Sequence, residues 1–455
     1  MGKNMSNYKV IIGMEIHVQL KTKSGMFCGC KNDPDAKKPN IYTCPVCLGM
    51  PGGLPVANKK AIEWTIMLGL ALGCKINKFS KFDRKHYFYP DLPKGYQISQ
   101  YDIPFCYGGK VETSDGPIGI TRVHLEEDTG KLIHDTVNGE KVSLIDFNRS
   151  GTPLVEIVTE PEIYSSAQAK EYAKKLRQII RYLDISDCDM EKGGMRLEAN
   201  ISLLRHPQGV RNETGHSKGV QLPKYKVELK NINSFRFLER GIEYEIERQR
   251  EILEKGETPI QETRGYNAEK GITYSQRTKE EAADYRYFPD PDLPPININD
   301  KWFSEIVSQM PEAFEDMFGR WIKEYKINRE MTELLFETAD QAKWLDKLFS
   351  EAMKEKLPVD KLVNLLIHKK IKLELFKADQ AQIITEYKKE VTVDEITDDV
   401  IIGYIKKAVT ANSQAVADYK AGKGNAMNFL VGAVIREAKK KIEFGRLVKL
   451  IQSSI

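Results

Sequence analysis

Glu15 and His17 are the first residues along the chain whose types and spacing could do chemistry. They follow the apolar, β-branched run Tyr8–Ile12, which predicts a β-strand. Because side chains two apart in a strand project from the same face, the carboxylate and the imidazole would lie side by side. Such a pair is half of a divalent-cation site, or an acid–base pair. The alternative is an ordinary surface glutamate and histidine on a half-exposed strand.

Further acidic residues occur in or at the end of other predicted strands. Glu126 and Glu127 follow a strand pattern, and Glu156 lies inside the apolar run 154–158. Neighbouring carboxylates repel one another unless a cation offsets them, and a buried carboxylate needs a partner. With the opening pair, Glu156 and one acid of the 126–127 doublet would form an oxygen-rich site with one imidazole. That composition suits Mg²⁺ or Mn²⁺ more than zinc.

Two close cysteine pairs, Cys28 with Cys30 and Cys44 with Cys47, flank a short loop rich in Asn, Asp and Pro. Pairs at this spacing can close a tetrahedral thiolate site around zinc, with free thiols as the alternative. Disulfides are disfavoured in a cytoplasmic protein. Because all the ligands would come from the protein, such a zinc would be structural and not catalytic. The scattered cysteines are predicted to be small core residues: Cys74, Cys106 and Cys188.

The segment 82–100 is dense in aromatic, cationic and amide side chains. Aromatic rings can hold a base by stacking, while Arg84, Lys85 and Lys94 would meet phosphate. The alternative is a packed loop with surface charges. The chain has no Gly-x-x-x-x-Gly-Lys-Ser/Thr loop, so any ATP chemistry is not of the Walker type. It also has no Gly-x-Ser-x-Gly nucleophile elbow.

The elements that must position these residues change in type along the chain. Strand runs separated by glycine-rich turns, with helical patterns between them, predict a large, mostly antiparallel α+β domain up to about residue 290. The proline-rich stretch 288–295 cannot continue a helix or a central strand. Beyond it, apolar residues keep helical spacing to about residue 405, which predicts an all-helical domain. A small helical tail follows.

The size and composition are those of a globular protein. The chain has 455 residues, of which 29% are charged and 41% hydrophobic, and its net charge is +4. At roughly 150 residues per domain, about three domains are expected. No apolar run approaches the ~18 residues of a membrane span, and the N-terminal residues lack the apolar core of a signal peptide. We therefore expect a cytoplasmic protein with no membrane contact. The last forty residues are basic, which predicts either a phosphate contact or a solvated helix face.

Together these runs resemble the GatB family, the B subunits of three-subunit tRNA-dependent amidotransferases. The matching segments extend nearly from end to end: Gly13–Leu20, Lys81–Gln100, Gly119–Lys131, Asp146–Pro161, Met190–Leu203, Val227–Phe235, Gln261–Arg264, Asp284–Pro295 and Tyr419–Gly432. The resemblance implies a catalytic cradle domain over residues 1–293, a helical domain over 294–405 and a tRNA-contacting tail domain over 406–455.

The resemblance also implies a reaction. The family uses ATP and Mg²⁺ to phosphorylate the side-chain carboxylate of Glu-tRNA(Gln) or Asp-tRNA(Asn). Ammonia that the GatA subunit releases from glutamine then displaces phosphate and forms the amide. A carboxylate is a poor electrophile, so phosphorylation supplies a leaving group while Mg²⁺ offsets the charge of the approaching anions. The implied partners are GatA and GatC in a heterotrimer, together with the misacylated tRNA. Which of the two tRNAs is used depends on the synthetases of the organism.

Site residues carry over by position. Glu15 and His17 fall on the metal-binding Glu-x-His of the family, Glu127 on the second acid of its His-x-Glu-Glu-Asp run, and Glu156 on the acid after Thr-Pro-Leu. These four are the predicted catalytic residues and Mg²⁺ ligands. The residues expected near ATP or the tRNA 3′ end are Arg84, Lys85, Tyr87, Tyr89, Lys94, Tyr96 and Gln97. Other polar positions match without an assigned role: Glu198, Asn200, Glu228, Lys230, Asn231 and Arg286.

The chain departs from the family pattern in two places. Many members lack the four cysteines, so zinc here would support the fold or the tRNA acceptor contact. In the tail, the usual Lys-Gly-Lys-Ala-Asn-Pro is replaced by Lys439–Glu443. The chain leaves no room for the extra domain of the related archaeal GatE, which favours GatB. Two other functions remain open, a zinc-bearing RNA-binding protein with structural acids and a metal-dependent hydrolase that acts alone. A binding module has no need to gather the four predicted ligands.

Overall fold

We describe a computed structural model of the chain that covers residues 8–205, 222–278, 284–391, 397–422, 425–438 and 442–455. Mixed, mostly antiparallel sheets dominate the first part and helices the second, which confirms the predicted α+β class. The chain forms two compact units, residues 1–320 with 337–340 and residues 321–336 with 341–455. The division into three domains stays a prediction.

The strands lie in the first unit. Their bounds are β1 (Tyr8–Gln19), β2 (Lys75–Ile76), β3 (Phe79–Ser80), β4 (Asp83–His86), β5 (Tyr96–Ser99), β6 (Cys106–Tyr107), β7 (Lys110–Thr113), β8 (Gly116–Glu127), β9 (Lys131–Val137), β10 (Glu140–Asp146), β11 (Pro153–Thr159), β12 (Met195–Arg205), β13 (Val227–Ile232), β14 (Glu262–Asn267), β15 (Ile272–Thr278), β16 (Phe288–Pro289) and β17 (Ile296–Asn297). The large sheet has the order β15-β14-β13-β12-β1-β11-β8-β6-β2, and β7 pairs with β8. Among the described strands of this sheet, only β13 and β14 pair in parallel.

Strand β1 lies near the middle of the large sheet, between β11 and β12. Its side chains alternate, so that Met14, Ile16 and Val18 are completely buried in the core. Glu15 and His17 project from the opposite face, as the sequence predicts. The face of β1 that carries polar residues therefore faces away from the apolar core.

The helices of the first unit include two long ones that cover the apolar face of the sheet. Those in this part of the chain are α1 (Lys59–Ala71), α2 (Ser166–Tyr182), α3 (Phe235–Glu254), α4 (Asp300–Ser308) and α5 (Phe314–Tyr325), the last of which extends past residue 320. Ser165 caps α2 by accepting from the Gln168 N–H, and Ser234 caps α3 in the same way. Tyr172 and Leu176 of α2 are completely buried in the same core as β1.

Gly69 is required by the close approach of α1 to β6. A Cβ atom there would overlap Cys106 Sγ and lie 2.8 Å from Cys106 Cβ, inside van der Waals contact. We therefore expect Gly69→Ala to lower the free energy of unfolding by about 1–3 kcal/mol through overpacking. Gly319 is the matched control, because its Cβ would meet no atom within 4 Å and alanine there should stabilise helix α5 by about 0.5–1 kcal/mol. Denaturant titration measures both changes, and equal effects of the two substitutions would contradict the close approach.

The second unit is helical in its described part. Its helices are α6 (Arg329–Thr332), α7 (Ala339–Lys354), α8 (Val359–Ile367), α9 (Gln380–Val391), α10 (Asp398–Ala411), α11 (Ser413–Lys420), α12 (Asn425–Ala438) and α13 (Phe444–Ser454). Leu430 and Val434 of α12 pack with Leu447 and Ile451 of α13, and all four are completely buried. Phe444, which the helical pattern assigns to the apolar face, is instead 56% exposed because it lies at the first residue of α13. The basic residues Lys423 and 439–441 lie outside the described residues.

No helix in the described ranges combines the length and the apolar character that crossing a membrane requires.

Candidate acidic cleft

Antiparallel pairing brings residues from three strands into one row across the sheet. In the register of β1 with β11, His17 lies opposite Glu156, and in that of β11 with β8, Glu156 lies opposite His124. His17 Nε2 is 3.5 Å from Glu156 Oε2, and His124 Nε2 is 3.1 Å from the same oxygen. Glu126, two residues beyond His124 on the same face, places Oε1 3.8 Å from His17 Nε2. His17, Glu126 and Glu156 thus form a compact group of possible cation ligands, here called the first acid cluster.

Glu127, the acid that the family motif selects, lies away from this cluster. Neighbouring side chains of a strand point to opposite faces, so Glu127 turns away when Glu126 turns toward His17. Its Oε1 accepts from the Ile98 N–H at 2.9 Å and pairs with Lys94 Nζ at 2.5 Å. The structure therefore brings together Glu15, His17 and Glu156 of the predicted set in one cleft, with Glu126 in the place expected for Glu127.

A second acid cluster surrounds Glu15. The register of β1 with β12 places Glu15 opposite Glu198, and Glu228 of β13 completes the group. Lys230 Nζ lies 3.2 Å from Glu198 Oε2 and 3.3 Å from Glu228 Oε1, so a protein cation offsets part of the charge. The Asn200 amide donates to Glu15 Oε1 at 2.9 Å. This second cluster lies beside the first because Glu15 and His17 are neighbours on one face of β1.

The electrostatics of both clusters show a surplus of negative charge. Burial raises the pKa of Glu15, and the carboxylates of Glu156, Glu198 and Glu228 raise it further. Burial lowers the pKa of His17, but Glu156 and the other nearby acids outweigh it and raise that pKa to about 9. Burial also raises the pKa of Glu156, yet its histidine neighbours outweigh burial and hold it well below the usual range. A site of this kind attracts a cation.

The first cluster fits a divalent cation in its chemistry. It offers two buried carboxylates and one imidazole. One carboxylate oxygen from each acid and one ring nitrogen of the histidine lie within 4.8 Å of one another. His17 Nδ1 is buried and has no hydrogen-bond partner among the described residues, and the same is true of His124 Nδ1. Carboxylate oxygens are the ligands that Mg²⁺ prefers, with Mn²⁺ tolerating the imidazole as well. The donor set therefore suits Mg²⁺ or Mn²⁺ and lacks the thiolates that would favour zinc.

The four cysteines Cys28, Cys30, Cys44 and Cys47 come together as the sequence predicts, with their Sγ atoms within 4.8 Å of one another. The Sγ atoms of Cys44 and Cys47 are 3.8 Å apart. Two ligands held about 2.3 Å from a tetrahedral zinc would have about that separation. The hydrogen bond from Cys28 lowers the pKa of Cys47 to about 5 and raises the pKa of Cys28, so the thiolate charge is held mainly at Cys47. The cluster fits a structural zinc.

The cysteine loop is fastened to the turn that precedes β11. The Ser150 hydroxyl donates to the Cys47 carbonyl at 3.1 Å, and the Met26 N–H donates to the Gly151 carbonyl at 2.6 Å. The Tyr42 N–H donates to the Asn148 side-chain oxygen at 2.9 Å. Since β11 carries Glu156, the cysteine loop helps to fix the strand that supplies a member of the first acid cluster.

Members of the predicted nucleotide-binding run 84–97 make internal contacts, and some also line open cavities. Arg84 donates to Asp290 and Asp292, and Lys94 pairs with Glu127, so both cations are used within the fold. Three further members have internal contacts: Tyr96 lies under the Arg84 guanidinium, Gln97 donates to the Glu127 carbonyl, and the Tyr87 hydroxyl donates to Gln97 Oε1 at 3.2 Å. Lys85, Tyr87 and Tyr89 also line open cavities.

A cleft of about 860 Å³ is lined by His17 and Glu156 of the first acid cluster and by all three acids of the second, and two smaller cavities share residues with it. One is a pocket of about 340 Å³ that shares Glu15 and is lined mainly by apolar groups such as Ile11, Val158 and Leu222. The other is a wider opening of about 730 Å³ that shares Lys85 and Tyr285 and is lined by cations and aromatic rings. The acid clusters thus lie between an apolar pocket and a cationic opening.

Sequence reasoning did not single out His124, Glu198 and Glu228 as parts of the clusters. For His124 part of the signal was available, because residues two apart on one strand share a face and His124 therefore lies on the same face as Glu126. For Glu198 and Glu228 it was not, because their position depends on which strands pair with β1 and in what register. The local pattern does not specify that register.

Comparisons with known proteins identify the same family over nearly the full length of the chain. The model of the GatB/GatE catalytic domain matches residues 10–304, and the model of the GatB domain matches residues 360–455. The B subunit of the aspartyl/glutamyl-tRNA(Asn/Gln) amidotransferase of Caldicellulosiruptor saccharolyticus is 42% identical, with 95% of this chain and 96% of that protein covered. The corresponding B subunit of Dehalococcoides mccartyi is 40% identical with 99% of each covered, and that of Thermotoga maritima is 42% identical with 95% and 96% covered.

Proposed function

The chain belongs to the GatB/GatE family, and from this premise we propose that it is the B subunit of a tRNA-dependent amidotransferase. It acts with GatA and GatC in a cytoplasmic heterotrimer and converts Glu-tRNA(Gln) or Asp-tRNA(Asn) to the amidated form. ATP and Mg²⁺ serve the activation of the side-chain carboxylate, and zinc in the cysteine cluster serves the fold.

The single observation that carries this function is the pair of acid clusters in one cleft. Gathering so many carboxylates on strands far apart in sequence costs stability unless cations offset them. A reaction between phosphate and a carboxylate brings two anions together and needs such cations. An RNA-binding module has no such need. A metal-dependent hydrolase would also use cation ligands, but it would act without partner subunits.

The small apolar pocket beside Glu15 is the site we assign to the adenine of ATP. It is partly enclosed, and its wall includes Gly13, where the absence of a side chain leaves room next to Pro161. Lys224 and Lys226 line the same pocket and carry charge that suits phosphate. A base held there would direct its phosphate chain past Glu15 to the acid clusters.

Filling this pocket provides a test. We expect Gly13→Val to raise the KM for ATP roughly tenfold, about 1.4 kcal/mol, because its branched side chain occupies space that the base needs. The nearest atom to a Cβ at this position is 3.8 Å away, so the fold should tolerate the change. Initial-rate kinetics of the assembled complex measure it, with the KM for misacylated tRNA as the control. A rise in the tRNA KM alone would contradict the assignment.

In the proposed mechanism the chain binds the substrates, orients the reacting groups and neutralises their negative charge. His17, Glu126 and Glu156 would hold one divalent cation, and Glu15 with Glu198 and Glu228 would hold a second. A bound Mg²⁺ offsets charge where phosphate approaches the carboxylate. Lys85 lies among these groups, and although burial lowers its pKa, Glu126 and neighbouring acids outweigh that effect and raise it, so its ammonium stays charged. The activated carboxyl is then attacked by ammonia, and phosphate leaves.

The proposal is tested with the complete complex. The chain is coexpressed with GatA and GatC and assayed for amidation of both misacylated tRNAs, with glutamine as the donor. We expect amide formation and ADP release that both depend on misacylated tRNA and on Mg²⁺. Binding of tRNA without any tRNA-dependent ATP cleavage would instead favour the RNA-binding alternative, and turnover without partners would favour a hydrolase.

A further inference from the structure

Strand β8 carries an arginine on the same face as the first acid cluster. Arg122 lies two residues before His124, so both side chains project from one side of the strand. In the register of β8 with β11, Arg122 lies opposite Val158, and Val158 in turn lies opposite Glu15 of β1. Arg122 therefore lines the acidic cleft on the side of the first acid cluster.

The Arg122 guanidinium forms no ion pair or hydrogen bond with the residues that the structure describes. Glu160, just after β11, accepts instead from the Thr121 hydroxyl of β8 at 2.8 Å. Glu162 accepts from the Gly119 N–H of the same strand at 3.0 Å. The Arg122 side chain is half-buried, and taking a charge out of water without a partner costs free energy. Its position therefore favours a bound anion.

Two further arginines on this face of the sheet are placed differently. Arg196 lies opposite His17 on β12, but its guanidinium donates to the Asp128 carboxylate at 3.1 Å. Arg277 lines the cleft from the edge strand β15, where it is exposed and lies on the side of the second acid cluster. Of these three arginines, Arg122 is the one that lies beside the first acid cluster with its guanidinium open to substrate.

A guanidinium matches a carboxylate in shape as well as in charge. Its planar fork donates two parallel N–H bonds to the two carboxylate oxygens, and such bonds are about twice as strong as neutral ones. A carboxamide has nearly the same size but is neutral and offers only one acceptor oxygen. An arginine in this place can therefore distinguish an acid from the corresponding amide.

The surroundings of Arg122 favour the substrate carboxylate over the phosphates of the nucleotide. Lys224 and Lys226 line the pocket assigned to ATP and supply positive charge there, whereas the lining of that pocket does not include Arg122. Arg122 instead shares its strand with His124 and with Glu126 of the first acid cluster.

We propose that Arg122 is a specificity-determining residue, which binds the side-chain carboxylate of the misacylated amino acid through a bidentate ion pair. The ion pair holds the carboxylate beside the first acid cluster, where activation takes place. Conversion to the amide removes the negative charge, so the product loses this ion pair and is released more easily. This inference rests on the proposed function and adds to it the residue that separates substrate from product.

The test measures binding of two analogues of the tRNA that the complex amidates. In both, an amide bond replaces the ester at the 3′ end; one carries the acidic amino acid and the other carries its amide. A hydrogen-bonded ion pair corresponds to about a 30-fold effect on affinity, so the wild-type complex should prefer the acidic analogue by about that factor in Mg²⁺ without ATP. Arg122→Gln should reduce the preference to about threefold or less. Arg122→Lys, which keeps the charge but not the fork, should give an intermediate value.

Steady-state kinetics and a matched control complete the test. Arg122→Gln should raise the KM for misacylated tRNA and leave the KM for ATP unchanged. Glutamine hydrolysis by the partner subunit reports that the variant complex has assembled. Arg240→Gln is the control, because Arg240 is an exposed arginine of α3, which covers the opposite face of the sheet. It should change neither the preference nor either KM.

Three results would contradict the inference. An unchanged preference in the Arg122→Gln complex, with amidation intact in the wild type, would overturn the inference and leave the proposed function standing. A rise in the KM for ATP with the preference preserved would assign the guanidinium to phosphate and also overturn it. A wild-type complex that amidates neither misacylated tRNA would overturn the proposed function, and this inference with it.

Discussion

Replacing Glu156 by glutamine is expected to lower kcat for amidation about 10³-fold, or roughly 4 kcal/mol. Glu156 lies between His17 and His124, and one of its oxygens is within 3.5 Å of a nitrogen of each. Glutamine keeps the size of the side chain but removes the charge that a divalent cation requires. The effect should fall on the chemical step, since the residue lies in the cleft and not in the pocket assigned to ATP.

Electron paramagnetic resonance measurements of Mn²⁺ binding test whether the fall in kcat comes from a lost cation ligand. The Glu156→Gln complex should bind Mn²⁺ more weakly than the wild type. Glu160 is an exposed acid just beyond the same strand, and Glu160→Gln should change neither Mn²⁺ binding nor kcat for amidation. Glutamine hydrolysis by the partner subunit reports that the complex has assembled. Amidation within threefold of the wild type in the Glu156 variant would remove this residue from the catalytic site.

Loss of the cysteine cluster is expected to have the largest effect on stability. We expect one zinc per chain in metal analysis, and none after Cys44→Ser with Cys47→Ser. Metal binding contributes directly to folding at such sites, so the double variant should lose at least about 3 kcal/mol of unfolding free energy in the first unit. The hydrogen bonds from the Ser150 hydroxyl and the Tyr42 N–H join the loop to the turn before β11, so the damage should extend to the acidic cleft.

Limited proteolysis separates this local loosening from general misfolding. Early cleavage should occur within residues 28–53, while the helices of the second unit, which carry their own core, should be cleaved at the wild-type rate. Cys188→Ser is the control, because that cysteine is buried away from the cluster and makes no metal site among the described residues. A double variant that is as stable and as protease-resistant as the wild type would mean that the cluster holds no structural metal.

The fold class and the main elements follow from the sequence because they depend on local pattern. The run Tyr8–Ile12 identifies the start of strand β1, which continues to Gln19, and helical spacing from Ser166 to Leu183 identifies helix α2 within about one residue of its observed bounds. The change to helices after the prolines at 288–295 is equally local. The exposed position of Phe444 was not predictable in this way, because helical periodicity does not say where a helix begins relative to its packing partner.

The candidate site was only half predictable, and strand pairing accounts for the difference. Glu15, His17 and the cysteine cluster are close in sequence, so spacing alone brings their side chains together. Glu126 and Glu127 are adjacent and project from opposite faces of the sheet. Choosing between them requires knowing the register of β8 with β11, which places His124 and Glu126 on the face that carries Glu156. Glu198 enters through the pairing of β1 with a strand that is distant in sequence, and over such a distance composition gives no information about register.

The spacing of residues along β1 also sets the distance between the two acid clusters. Glu15 contributes to one acid cluster and His17 to the other, and residues two apart on a strand are separated by about 6.8 Å. Paired ions that clamp one transferring phosphoryl group lie roughly 3.5–4 Å apart and share ligands. The two ligand groups therefore start from backbone positions that are farther apart than the ions of such a pair. If each cluster holds an ion as proposed, this spacing would favour a division of labour, with one ion next to the pocket assigned to ATP and the other next to the carboxylate to be activated.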